Sequence, residues 1–350
     1  MDLNHLEDLT EIDPLNMIAE IDGLPDQLAS AWEIGLSQPL PHMNPVNLVV
    51  IAGMGGSAIG ADLLSGVISD RSPVPVIVQR DYNLPAYANG RETLVVVSSH
   101  SGNTEESLSA FSTAIQNHCQ VVAISTGGKL QDAASNSGIS TWTFNHTGQP
   151  RAAVGYSFGL LLALMVRMGL ISDPSIEVDG AVQLMKDQKE KLTVDIPVNQ
   201  NPAKRLAGQM VGRDMTIFGS GHLAPVARRW KTQINELAKA QASFEFLPEA
   251  DHNTVAGTTN PENILGQTFK MFLQSKLDHP RNILRSQLTR ESFMLEGINT
   301  DFFEAPGDTR IGQLWSTLQF GDYTAYYLAL AYDTDPTAIA AISALKEKLS

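Results

Sequence analysis

Two apolar runs in the first half of the chain each end in a short polar turn. Residues 48–52 (LVVIA) lead into a glycine-rich turn at 53–60 (GMGGSAIG), and residues 94–97 (LVVV) lead into 98–104 (SSHSGNT). Apolar runs of this length between helical patterns are typical of strands in a parallel sheet that is covered on both faces. Because parallel strands end at one edge of their sheet, we expect the two turns to lie side by side.

Together the two turns predict a site for one phosphate group. Gly56 lets the backbone approach a ligand closely, and Ser57 can cap the following helix with its hydroxyl and amide directed at an anion. Ser99, Ser101 and Thr104 can act in the same way from the neighbouring strand. The expected pocket is therefore lined by hydroxyl and backbone N–H groups rather than by Lys or Arg.

The glycine turn also has two other interpretations. It can be a strand-to-helix connection without a ligand. It can also be a dinucleotide site, because residues 53–58 match the loose GxGxxA fingerprint. The acid expected after the next strand is replaced by Gln79 and Arg80, with Asp81 beside them. A dinucleotide site gives the turn at 98–104 no purpose, so the pattern favours the phosphate clamp.

Composition restricts the classes of partner. The 350 residues carry 24 basic and 38 acidic side chains, a net charge of −14, which argues against a broad nucleic-acid surface. The single cysteine, Cys119, excludes an internal disulfide and a multi-cysteine metal site. Residues 1–13 lack the pattern of a signal peptide, and no run approaches the ~18 apolar residues of a membrane span. We therefore expect a cytoplasmic protein without membrane contact.

Periodicity predicts an N-terminal helical arm and two α/β units. The arm covers residues 1–45, the first α/β domain 46–175, a linker helix region 176–202, and the second α/β domain 203–350. Strands are expected at 47–53, 75–80, 93–99, 121–125, 141–144, 215–218, 243–247, 271–275 and 298–303. Helices are expected from about 24 to 36 and at 57–69, 104–117, 129–136, 151–170, 178–192, 223–240, 280–296, 309–331 and 336–348.

Three side chains outside the turns are candidates for acid–base chemistry. Glu236 lies near the end of a predicted helix, in residues 235–239 (NELAK), and a solvated helix glutamate is the plainer interpretation. His252 lies in a polar loop after a predicted strand, where functional side chains often occur; it can equally cap backbone groups there. Arg151 begins a predicted helix, against the preference of cations for the opposite end, and is a candidate anion contact or simply exposed. No histidine pair has the spacing of a zinc helix.

The motifs together resemble the bifunctional phosphoglucose/phosphomannose isomerase family. The resemblance rests on the turns already described and on residues 150–153 (PRAA), 235–239 (NELAK) and 248–253 (PEADHN), with weaker similarity at 335–346. The two turns mark any sugar isomerase (SIS) domain, including non-enzymatic sensors, whereas the Asn-Glu and His-Asn motifs are far more specific. His100 stands where the family often has an aromatic residue, and Ala58 where it often has glycine.

The resemblance implies an α/β fold of two SIS-type (flavodoxin-like) three-layer αβα domains with parallel sheets. It implies a homodimer with its site at the domain and subunit junction. The implied reaction is isomerisation of glucose 6-phosphate, and of mannose 6-phosphate, to fructose 6-phosphate through a cis-enediol, without metal or cofactor. A non-catalytic phosphosugar sensor on the same fold and a dinucleotide-dependent oxidoreductase are the alternatives.

The resemblance also implies a role for each candidate residue. The clamp residues Gly56, Ser57, Ser99, Ser101 and Thr104 would hold the phosphate. The expected catalytic residues are Glu236 as the base between C1 and C2, Arg151 at the enediolate, and His252 and Lys346 in ring opening. His252 would come from the partner subunit, and Lys348 is the alternative to Lys346.

Overall fold

The computed structural model describes residues 2–4, 6 and 9–349, and these form two compact units. The first unit is Leu24–Val182; the second contains the described residues up to Gly23 and those from Gln183 onward. This division falls inside the expected arm and inside the expected linker region. The domain bounds inferred from the sequence stay a prediction.

The elements alternate between helix and strand along most of the chain. In the first half they are α1 (Met17–Asp22), α2 (Leu24–Ser37), β1 (Leu48–Ala52), α3 (Gly55–Ile68), β2 (Val76–Gln79), β3 (Thr93–Ser98), α4 (Glu105–Gln116), β4 (Gln120–Ser125), α5 (Gly128–Asn136), β5 (Thr141–Thr143) and α6 (Val154–Arg167). In the second half they are α7 (Ser175–Lys189), α8 (Pro202–Met210), β6 (Asp214–Ser220), α9 (Ala224–Leu237), β7 (Ala242–Leu247), α10 (Glu262–Leu265), β8 (Thr268–Gln274), α11 (Pro280–Leu295), β9 (Asn299–Glu304), α12 (Arg310–Ala331) and α13 (Ala340–Leu349).

The first unit is a three-layer sandwich around a parallel sheet with the strand order β2-β1-β3-β4-β5. Every residue of β3 is buried, as expected of a central strand without a solvent face. Helices α4 and α5 cover one face, where Phe111 packs against Val95 and Val97. Helix α3 covers the other face and packs against α6, which in turn packs against α2. Ala52 pairs with Val97, so the turns after β1 and β3 emerge at one edge.

The second unit repeats this plan with four parallel strands in the order β7-β6-β8-β9. Helix α9 lies on one face and α11 on the other. On the α11 face Phe218 stacks on Phe272 at 4.6 Å between ring centroids, and Phe293 of α11 closes the cluster. Burying one such side chain contributes roughly 1.5–3 kcal/mol. Helix α12 is buried over nearly its whole length.

The fold class inferred from the sequence is confirmed, and the five strands of the first sheet lie within one or two residues of their predicted positions. Helix α8 was not predicted; it begins at Pro202, on the border between the expected linker region and the expected second domain. Proline is suited to the first position of a helix. Asn201 caps this helix, since its side-chain oxygen accepts from the backbone N–H groups of Ala203 at 3.0 Å and Lys204 at 3.1 Å.

Within the described residues, none of the helices has both the length and the apolar character that crossing a bilayer requires.

Candidate active site

The turns after β1 and β3 are joined by hydrogen bonds between hydroxyl and backbone groups. Ser57, in the first turn of α3, is 5% exposed, and its Oγ accepts from the backbone N–H of His100 at 3.2 Å. Ser99 is 2% exposed and donates its hydroxyl to Thr104 Oγ1 at 3.0 Å. Because Ser57 Oγ accepts from His100, its own proton is left for another acceptor. The predicted clamp residues are therefore brought together at the carboxyl edge of the first sheet.

Gly102 explains why the second turn can adopt its shape. Its φ is +67°, and a Cβ at this position would lie 1.8 Å from the carbonyl oxygen of Gly127. The turn thus presses against the loop after β4, and the N–H of Leu130 donates to the carbonyl of Gly102 at 2.9 Å. Ser101, beside it, is exposed and accepts from the N–H of Asn103 at 3.2 Å. The turn is rigid while the Ser101 side chain remains accessible.

Arg151 lies beside the first turn because position 56 has no side chain. A Cβ on Gly56 would lie 2.4 Å from the carbonyl oxygen of Pro150 and 3.2 Å from the nitrogen of Arg151. The short 3-10 turn Pro150–Ala152 therefore packs directly on the start of α3. Arg151 is 4% exposed. A buried guanidinium next to a neutral anion clamp can stabilise negative charge that develops on a bound ligand.

Gln27, which the sequence analysis missed, fixes the turn that carries Arg151. Its amide nitrogen donates to the carbonyl of Ala152 at 2.9 Å, and its amide oxygen accepts from the N–H of Gly155 at 2.7 Å. Both bonds bridge more than 120 residues of sequence, so no local pattern could have indicated them. A helix of the expected N-terminal arm thus positions the turn of a predicted site residue.

Glu236 is half-buried in the last turn of α9. The motif around it builds the helix end: Asn235 donates to the carbonyl of Ala240 at 2.8 Å, and Lys239 has a φ of +52°. The Lys239 ammonium also donates to the carbonyl of Asp335, ahead of α13. The Asn-Glu-x-x-Lys pattern therefore holds the carboxylate at a defined helix terminus.

His252 ends a 3-10 turn that follows β7 and is itself exposed. The turn is anchored on α11 through Asp251, which accepts from Arg285 at 2.8 Å and from Thr289 at 2.7 Å. These bonds hold the backbone of the turn and leave the imidazole at the surface. The predicted role of His252 agrees with an accessible side chain on a fixed turn.

The second unit does not bring its own three predicted residues together. Glu236 lies near the amino edge of the second sheet and His252 near its carboxyl edge, because β7 runs between them. Lys346 lies on α13, a helix without a buried residue. The roles of these residues stay predictions.

The second sheet has a turn that corresponds to the clamp, and an acid fills it. Ser220 at the end of β6 donates its hydroxyl to Asp278. Gly221 has a φ of +53°, and a Cβ there would lie 2.1 Å from Asp278 Oδ1. Burial raises the pKa of Asp278, against opposing effects of Ser220, Arg310 and His279. Only about 10 Å³ of cavity remains beside this carboxylate, too little for a phosphate group.

A larger cavity of about 480 Å³ lies elsewhere in the second unit, between α7, α8 and the edge strand β9. None of the predicted site residues, all of which the structure describes, lines it. In the described part of the chain, no three His, Cys, Asp or Glu side chains are grouped as a metal site requires.

Two parallel sheets, each with helices on both faces, fit a protein of the SIS-domain class. Residues 199–349 match the family model of the bacterial phospho-glucose isomerase C-terminal SIS domain. A solved "glucose-6-phosphate isomerase like protein" from Thermus thermophilus has the same fold, with a TM-score of 0.66, 20% identity, and coverage of 98% of this chain and 99% of that chain.

Curated relatives define the family more closely. The bifunctional phosphoglucose/phosphomannose isomerase of Caldicellulosiruptor bescii is 39% identical over 338 residues, which are 95% of this chain and 99% of that protein. The enzyme of the same name from Aquifex aeolicus is 30% identical over 308 residues, 88% of this chain and 92% of its own length. The chain therefore belongs to the bifunctional phosphoglucose/phosphomannose isomerase family.

Proposed function

We propose that the protein is a metal-independent isomerase that interconverts glucose 6-phosphate, and also mannose 6-phosphate, with fructose 6-phosphate. The observation that carries the proposal is the hydroxyl clamp with Arg151 beside it, in a chain that matches a bifunctional phosphoglucose/phosphomannose isomerase along nearly its whole length. A small-molecule sugar phosphate is the substrate. Because the chain has a net charge of −14, we do not propose nucleic acid as a partner.

In this proposal the clamp binds the phosphate through hydroxyl and N–H groups. Ser57 accepts from His100 and donates its hydroxyl proton to a phosphate oxygen. Thr104 accepts from Ser99 and donates its own hydroxyl proton in the same way. Ser101 contributes from the exposed side of the turn. The amino ends of α3 and α4 add the positive end of each helix dipole. The clamp thus binds the phosphate without a cationic side chain of its own, and Arg151 stabilises the charge that develops on the sugar during the reaction.

The chemical step needs one base and one cation. Glu236 removes the proton from C2 of the open-chain aldose and returns it to C1, and the reverse applies to the ketose. The carbonyl oxygen at C1 becomes an enediolate oxygen during the transfer, and Arg151 stabilises that charge. The hydroxyl proton at O2 passes to O1 within the cis-enediol, so that C2 becomes the ketose carbonyl when C1 receives its proton. Glucose and mannose 6-phosphates differ only in configuration at C2, so both give the same planar cis-enediol. Because Arg151 supplies the charge stabilisation, the proposed route requires no metal and no cofactor.

Ring opening must come before isomerisation, since the sugars are cyclic in solution. We assign this step to His252 and Lys346, as a proton-transfer pair. Both side chains are exposed in a single chain, which agrees with completion of the site by a second copy. We therefore propose a homodimer in which His252 acts in the partner's site.

With one cysteine and no disulfide, we place the enzyme in the cytoplasm.

The exposed apolar faces of the second unit support self-association. Along α11, Leu284, Leu288 and Leu295 lie on one stripe and are 39%, 52% and 81% exposed. Helix α13 exposes Leu345 and Leu349 in the same way. Apolar stripes on adjacent turns that remain in water are typical of interaction surfaces. A second copy of the chain is the occupant proposed here.

A coupled assay tests the proposal directly. The full-length protein is given fructose 6-phosphate with a metal chelator present, and both aldose products are measured with separate coupling enzymes. We expect glucose 6-phosphate and mannose 6-phosphate to appear together. Binding of fructose 6-phosphate without either product would identify a sensor and contradict the proposed function.

A further inference from the structure

Two histidines beside the clamp form a hydrogen-bonded pair that the proposed chemistry does not use. His100 lies between Ser99 and Ser101, and His146 follows β5. His100 Nε2 and His146 Nδ1 are 2.9 Å apart, and the two rings are nearly perpendicular, at 85°. At this distance one nitrogen must carry the proton and the other must accept it. The pair thus joins the turn after β3 to the loop after β5 by one hydrogen bond.

Aromatic rings fix the orientation of the pair. Phe144 lies edge-on to His100 at 5.9 Å between centroids and stacks on Tyr156 at 4.7 Å. Tyr156 also lies edge-on to His146 at 6.0 Å. Such contacts favour one geometry over others by about 0.5–1.5 kcal/mol each. The two imidazoles are therefore restrained from several sides.

The backbone of His100 connects the pair to the clamp. Its N–H donates to Ser57 Oγ at 3.2 Å, and its carbonyl accepts from the N–H of Thr126 at 3.0 Å and from the Thr126 hydroxyl at 2.8 Å. The hydrogen bond to His146 holds the imidazole ring of the same residue. A change in the ring bond is thus transmitted to the N–H that directs the Ser57 hydroxyl.

We propose that the His100–His146 pair is a positioning element of the phosphate clamp. The ring bond holds the His100 N–H on Ser57, so that the Ser57 hydroxyl keeps its direction when a phosphosugar binds. This proposal rests on the proposed function, because it assumes that the clamp binds a phosphate.

The test measures binding and turnover separately. Fructose 6-phosphate is titrated calorimetrically into the full-length protein, and kcat and KM are measured on the same variants. His146→Gln retains an oxygen that can accept from His100, whereas His146→Phe removes the bond. The exposed His42 supplies the matched control, His42→Gln.

We expect the His42→Gln control and His146→Gln to bind fructose 6-phosphate as the wild type does. His146→Phe should bind it about fivefold more weakly, because the hydrogen bond that holds His100 is lost. Its kcat should stay within about twofold of the wild type, because the pair does not touch the reacting atoms.

Two results would overturn the inference. Unchanged affinity of His146→Phe would remove the positioning effect, and equal weakening by His146→Gln and His146→Phe would show that the bond to His100 is not what positions the clamp. If the wild type turns over fructose 6-phosphate and either result occurs, only this inference fails. If the wild type neither binds nor converts the sugar phosphate, the inference and the proposed function fail together.

Discussion

Glu236 and His252 of one chain lie at opposite ends of β7. Glu236 is in the last turn of α9, which leads into the strand, and His252 ends the turn that leaves it. The six residues of β7 span about 17 Å at the usual rise of a strand. If both side chains act on one sugar, they must therefore come from different copies of the chain.

Mixing two inactive variants tests this arrangement. Glu236→Gln lacks the base, and His252→Asn lacks the imidazole. In a mixed dimer, one site combines the intact Glu236 of one copy with the intact His252 of the other. Denaturing and refolding an equal mixture should recover about a quarter of wild-type activity, since half the dimers are mixed and one of their two sites is complete.

Each variant refolded alone serves as the control for the mixture, with the dimer fraction measured by light scattering. Activity of the mixture that stays equal to the sum of the separate variants would show that His252 acts within its own subunit or has no catalytic part. A monomer in solution with full activity would also contradict the proposed partner contribution.

Glu236→Gln is expected to lower kcat with little change in binding. The amide keeps the size of the side chain but cannot accept the C2 proton, and loss of a general base typically costs 10²–10⁴-fold, so we expect about a 10³-fold decrease. KM should stay within about threefold of the wild type, because the clamp lies elsewhere. Deuterium exchange from solvent into fructose 6-phosphate, followed by NMR, should fall in parallel. Glu296→Gln, at the end of α11, is the matched control.

The sequence predicted the first sheet well because its strands are continuous apolar runs between helical patterns. β3 is buried on both faces, so its sequence is a continuous apolar run of the kind that predicts a central strand. The clamp was predictable for a similar reason, since its residues follow two such strands directly. The contacts of Gln27 and His146 with the residues around the clamp were missed because their partners are distant in sequence. The filling of the second turn by Asp278 also depends on a contact 58 residues away.

Gly56→Ala should impair catalysis through the position of Arg151. The new Cβ would lie 2.4 Å from the carbonyl oxygen of Pro150, a distance at which the backbone of that turn must move. Small displacements of a charge-stabilising group reduce its effect on the transition state, and we expect kcat/KM to fall at least about tenfold. Steady-state kinetics with fructose 6-phosphate would measure the change.

Gly180→Ala is the matched control for this substitution. Gly180 lies in α7, and a Cβ there meets nothing within 4 Å. The change should raise the free energy of unfolding by about 0.5–1 kcal/mol and leave the kinetics unaltered. If Gly56→Ala retained wild-type kcat/KM with the fold intact, the proposed dependence of Arg151 on the bare backbone at position 56 would be wrong.

Asp278→Asn should stabilise the second unit at neutral pH. Burial raises the pKa of this carboxyl above its ordinary value of 3.8, so the folded chain holds the proton more tightly than the unfolded chain does. The stabilising contribution of the protonated form is therefore complete below the unfolded pKa and is lost as the pH rises through the folded pKa. Asparagine has no charge to bury, and its oxygen can still accept from Ser220.

Urea unfolding between acidic and neutral pH measures this effect. The midpoint for Asp278→Asn should exceed that of the wild type at pH values above the folded pKa, and the difference should shrink as the medium becomes more acidic. A variant less stable than the wild type at neutral pH would mean that Arg310 and His279 stabilise the charged carboxylate by more than its burial costs.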